Sequence, residues 1–96
     1  IEKWENQLGV KAKECKIKKM KTKWGSCNQE VRRVWFNLEL SKVDDYALDY
    51  VVMHELVHLK VRNHGKQFIQ ILNKNMSDWE QRKAQLNETI LEFNGV

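Results

Sequence analysis

The sequence predicts an α+β fold: a small antiparallel β-sheet packed on one buried helix, with further helices at the C-terminal end. Three observations lead there. Two early runs, residues 15–24 and 31–40, have the composition of strands. One stretch, from Asp44 to Val61, is apolar on more than one side at helical spacing. After it come two shorter amphipathic segments, with no internal repeat, no low-complexity stretch and no proline anywhere. At 96 residues the chain fits one domain, residues 1–96. Because it opens on isoleucine, it is expected to be a piece of a longer protein.

The elements follow in order. Ile1, Trp4 and Leu8 fall on one face of a short opening helix, and Gly9 stands where a helix-ending glycine belongs. "CKIKKMKTKW" reads as a strand with lysines on its open side, a device that discourages unwanted pairing at a sheet edge. "GSCNQE" reads as a turn or loop. "VRRVWFNLEL" carries the β-branched and aromatic residues of a second strand. From Asp44 a helix is expected, its first turn acidic to suit the helix dipole. Leu48, Val52, Leu56 and Leu59 form one stripe on it; Tyr50, Met53, Val57 and Val61 form another. A helix apolar on several sides is a buried one. After "RNHG", Phe68, Leu72 and Met76 mark a third helix. Ser77 and Glu80 have the spacing of a capping box and open a last helix, with Trp79, Leu86, Ile90 and Phe93 inward.

Composition narrows the class of protein. Apolar residues make up 42% and charged residues 31%, which suits a soluble globular domain. No apolar run approaches the ~18 residues of a membrane span, so no membrane partner is expected. Only two cysteines are present, Cys15 and Cys27, too few for a disulfide-stapled secreted module; a reducing cytoplasm is expected. The net charge is +4, and seven lysines lie between Lys11 and Lys23. That basic strand is read chiefly as a solvated edge, with weak nucleic-acid association as its functional alternative.

The informative stretch is "HELVHLKVRNH", His54 to His64, which holds all three histidines of the chain. On a helix, His54 and His58 are four residues apart and project from one side, so both imidazoles can reach one cation at about 2.1 Å. Glu55 is rotated by about 100° from His54. That is too far round for a tight ligand, but well placed to take a proton from water beside the metal. A catalytic zinc takes three protein ligands and keeps one position open. His64 is the preferred third ligand, because Asn63 and Gly65 tolerate the backbone of a tight return. Glu80 is the rival. Trp24–Cys27 either line the cleft or form a packed turn, and Cys27 is a minor candidate for a fourth ligand. Asn37 either points at the cleft or serves a turn. Arg62 and Tyr46 are candidates for oxyanion stabilisation.

"KMKTKWGSC", then "NLEL", then "DYVVMHELVHLKVRNHGKQF" resemble the YgjP-like family of predicted metal-dependent hydrolases. These are small zincins related in pattern to SprT-like and WLM proteases. The similarity runs from about Val10 to about Glu88. It implies a zincin-like fold, a Zn2+ ion on His54, His58 and His64, Glu55 as general base, and a peptide or protein substrate. Two departures lie away from the motif: Ile69 stands where the family commonly has tryptophan, and no proline precedes the central helix. A second reading, from a different class, is a nucleic-acid-associated or protein-binding module with a structural zinc. A structural site gains nothing from Glu55 and normally has four ligands, which favours the enzyme.

Overall fold

The computed structural model describes residues 1–89. The predicted Ile90 and Phe93 contacts lie outside the described residues. In chain order the elements are helix α1 (Glu2–Leu8), strands β1 (Glu14–Lys18), β2 (Gly25–Asn28) and β3 (Arg33–Asn37), and a 3-10 helix (Leu38–Lys42). Helices α2 (Asp45–Val57), α3 (Lys66–Asn75) and α4 (Trp79–Thr89) complete the fold. The α+β class is as expected. Gly9 closes α1 in the left-handed region, at φ 69°.

The sheet is mixed rather than antiparallel. Its order is β1-β3-β2, with β1 parallel and β2 antiparallel to β3. The reason lies in two reversals of direction. The chain turns once through residues 19–24 and again through 29–32, so the first and third strands run the same way. Because β3 inserts between β1 and β2, it pairs with both, and the parallel β1 and β3 become neighbours. The second turn is tied by Asn28, whose Oδ1 accepts from the amides of Glu30 and Val31 at 3.1 and 3.3 Å, and Arg32 takes a left-handed φ of 55° to complete it.

Two further boundaries differ from expectation. "GSCN" is a strand, not a loop: pairing with β3 overrides the turn-like composition of Gly, Ser and Asn. The lysine-rich strand stops at Lys18, and residues 19–24 cross over the end of β3. Asn37 holds that crossing. Its Nδ2 donates to the carbonyls of Met20 (3.1 Å) and Lys23 (2.7 Å), and its Oδ1 accepts from the Glu39 amide at 3.0 Å. Its own amide donates to the Trp24 carbonyl at 2.9 Å. The side chain is therefore a buried clamp, neither in the cleft nor free at a turn.

The core joins one face of the sheet to the helices. Trp24, Val34 and Phe36 meet Tyr50, Val51, Met53, Leu56 and Val57 of α2, with Phe68, Leu72 and Leu86 closing the other side. Asp44 caps α2, its Oδ1 accepting from the Ala47 amide at 3.1 Å. Helix α1 is fastened to α2 by the Trp4 indole, which donates to Asp49 at 2.6 Å. Arg82 of α4 reaches both Asp49 and Asp78. Helix α4 begins at Trp79, which leaves Asp78, not Ser77, immediately before it. The Asp78 carboxylate is held there by Tyr46 (2.9 Å) and Arg82 (2.9 Å), so the expected capping box does not form. No described helix is long and apolar enough to cross a membrane.

Candidate metal centre

Helix α2 ends at Val57 instead of running on to Val61. The early end makes the site possible. Beyond His58 the chain turns, and the His58 Nδ1 lies 3.1 Å from the Val61 carbonyl. A carbonyl only accepts, so Nδ1 carries the proton and Nε2 keeps its lone pair. The turn then brings His64 back over the end of the helix, where its Nε2 lies 2.9 Å from the His58 Nε2.

The three histidines converge. One nitrogen from each of His54, His58 and His64 lies within 4.8 Å of the others. Their ring centroids are 4.8, 5.1 and 4.7 Å apart, pair by pair. Among the described residues this is the one such group of potential metal ligands, and exposed Glu80 is not part of it. Burial holds His58 and His64 below the ordinary imidazole range, and the neighbouring His54 acts in the same direction. Imidazole nitrogens gathered around a common point are what a divalent cation requires. His54 Nδ1, buried without a hydrogen-bond partner, sits 3.4 Å from the Glu55 carboxylate. The donor set therefore fits a metal ion, and His58 already has the outer hydrogen bond that orients a ligating histidine.

Phe68 of α3 is a part of the site that sequence reasoning assigned only to the core. Its ring lies 5.0, 4.7 and 4.8 Å from the rings of His54, His58 and His64. It is an apolar floor under all three. The available signal was its position four residues after His64, at the start of a helix that must pack under the returning loop.

Glu55 is only 2% exposed, and His54 4%. Glu55 is confined by Gly25 of β2. A Cβ at Gly25 would lie 2.9 Å from the Glu55 Cγ, 3.1 Å from its Oε2 and 3.0 Å from the Trp35 carbonyl oxygen. The Trp24–Cys27 stretch thus forms a wall of the site: Trp24 is buried in the core, Gly25 makes room for the carboxylate, and Ser26 and Cys27 face a cavity of about 610 Å³. That cavity also receives His54, Glu55, His58, His64 and Arg62. Burial and the nearby Glu55 carboxylate push the Cys27 thiol up to about 11, and its sulfur is not part of the converging histidine group. Arg62 pairs loosely with Glu30 at the mouth, 3.8 Å away, while Tyr46 is engaged with Asp78 and Arg82, away from the cavity.

Comparison with known proteins decides the family. The profile of the YgjP-like, metallopeptidase domain family matches residues 1–89. The chain belongs to that family. Membership implies a catalytic metal and makes this a metal-dependent peptidase domain, to which the histidine group gives a fitting donor set. Two solved structures share the fold. The metallopeptidase zymogen abylysin of Pyrococcus abyssi aligns with a TM-score of 0.83 at 15% identity, over 96% of this chain and 92% of that one. The metallopeptidase zymogen jannalysin of Methanocaldococcus jannaschii gives 0.81 at 22% identity, over 93% and 91%. A search of curated protein sequences finds no match.

Proposed function

We propose that this YgjP-like domain is a zinc peptidase in which His54, His58 and His64 hold the ion and Glu55 is the general base. The carrying observation is the convergence of three histidine nitrogens within 4.8 Å, beside a buried carboxylate that no ligand position requires. When bound, zinc supplies a Lewis-acid centre that acidifies water and polarises a carbonyl. Glu55 takes the proton of the attacking water and returns it to the leaving amine. Gly25 and the Trp35 carbonyl leave that carboxylate little freedom to turn away. Phe68 backs the histidine rings and keeps water off that side.

A peptide substrate would lie along the free edge of β2, adding a strand there. This edge borders the cavity, whereas the lysine-rich β1 is at the far edge of the sheet. A reducing compartment, the cytoplasm, suits the two cysteines. Both are free, and both pair with Val34 from opposite sides, so a whole strand separates them. Their separation is about 10 Å, too far for a disulfide.

Metal analysis paired with Glu55→Gln tests the reading. The purified chain is expected to carry close to one zinc and to cleave a mixed peptide library. Glu55→Gln is expected to retain the zinc and lose cleavage. Loss of zinc in that variant would recast Glu55 as a ligand, and undiminished cleavage would remove it as the base.

A further inference from the structure

The edge of the sheet remote from the metal centre has features that the peptidase reading does not use. All five residues of β1 are exposed, although the strand pairs along its full length with β3. As the terminal strand it leaves its other row of backbone groups unpaired by the sheet. Its two faces differ sharply. On the outer face, the Lys18 and Lys16 ammonium groups lie 4.5 and 5.6 Å from the centre of the Trp35 ring, which spreads them along the strand. On the inner face, Cys15 and Ile17 continue the row begun by Val34 and Phe36. Val34 and Phe36 are buried; Ile17 is 69% exposed. The helices cover β3 and stop short of β1.

We propose that the free edge of β1 docks an extended peptide strand whose side chains alternate between acidic and apolar. Strand pairing supplies the backbone partners, and a period of two puts every second side chain on each face. Acidic residues would then face Lys16 and Lys18, and apolar residues would cover Ile17. A second copy of this chain is a poor occupant, because two β1 edges paired in full register bring Lys16 against Lys16. Nucleic acid is disfavoured for two reasons. A phosphate backbone uses neither the strand edge nor Ile17, and Glu14, which pairs with Arg33 at 2.8 Å, puts a negative charge on the same face as the lysines.

The test uses the intact chain and a fluorescent peptide of alternating glutamate and valine, about nine residues long so that it spans β1 with overhang. A lysine–valine peptide and a duplex oligonucleotide serve as controls, with binding read by anisotropy and β1 amide protection by hydrogen exchange. The glutamate peptide is expected to bind and slow exchange in β1, and the lysine peptide to fail. The double variant Lys16→Glu, Lys18→Glu is expected to lose at least roughly tenfold in affinity, since like charges would then oppose each other. Ile17→Thr is expected to weaken binding with the charges intact, and Glu55→Gln to leave it unchanged, which separates this edge from the metal centre. Failure of the glutamate peptide to bind, or binding indifferent to both β1 variants, would overturn the proposal. So would tight duplex binding that falls steeply with salt, which would assign the edge to nucleic acid.

Discussion

The two edges of the three-stranded sheet, β2 and β1, share one central partner, β3, one pairing antiparallel and the other parallel to it. They are nonetheless opposites. At β2 the chain comes so close to α2 that Gly25 has no room for a methyl group beside Glu55. At β1 all five residues are exposed, and the strand carries lysines and an open isoleucine. The difference teaches where geometry is fixed in this domain. An edge in contact with the buried helix sets the position of the Glu55 carboxylate, while an edge without such contact is free to vary in charge at almost no cost to folding.

Substitutions can break this contrast or sharpen it. The largest effect is expected at Gly25. A Gly25→Ala methyl group must displace the Glu55 side chain or the Trp35 carbonyl. Cleavage should fall by about 100-fold, the scale of a displacement near 1 Å at a catalytic group. Overpacking should cost about 1–3 kcal/mol in urea unfolding, with zinc content unchanged. Full activity in this variant would mean that β2 does not position the base.

Asn37 comes next, because it clamps the crossing that delivers the chain to β2. Asn37→Ala removes the partner of the Met20 and Lys23 carbonyls and of the Glu39 amide. The expected loss is about 1–3 kcal/mol, the cost of leaving buried polar groups unsatisfied. Urea titration measures it, and an unchanged midpoint would show that the crossing is held by other contacts. The smallest effect is expected on β1: Ile17→Thr should change stability by no more than about 0.5 kcal/mol, as befits an exposed position. A larger loss in thermal unfolding would mean that β1 is covered in solution and would erase the contrast.

Much of the site was legible because it is local. The spacing of His54, Glu55 and His58 reads directly as one face and one flank of a helix, and His64 lies close enough to return through a turn. The buried character of α2 was legible from its two apolar stripes. What escaped the sequence was set by distant partners. "GSCN" has the composition of a loop and becomes a strand only by pairing with β3. Asn37 has the look of a turn residue; its role depends on a crossing contributed by residues 20–24. Ser77 and Glu80 match a capping box by spacing, but Tyr46 and Arg82 hold Asp78 immediately before α4. The parallel β1–β3 pairing follows from the order of strands, which local composition does not encode.

The three histidines fall within eleven consecutive residues, whereas Gly25 stands thirty positions before the glutamate it confines. Closing the short segment from His54 to His64 costs little chain entropy, while bringing β2 against α2 closes a longer loop and needs the assembled core. The two halves of the site therefore have different resistance to partial unfolding. Under mild denaturant, an ion held by the helix end and its turn can persist after the sheet has loosened from α2, and the carboxylate is then no longer confined. With Glu55 as the proposed base, inactivation would precede metal release, so retained metal would be a poor gauge of activity.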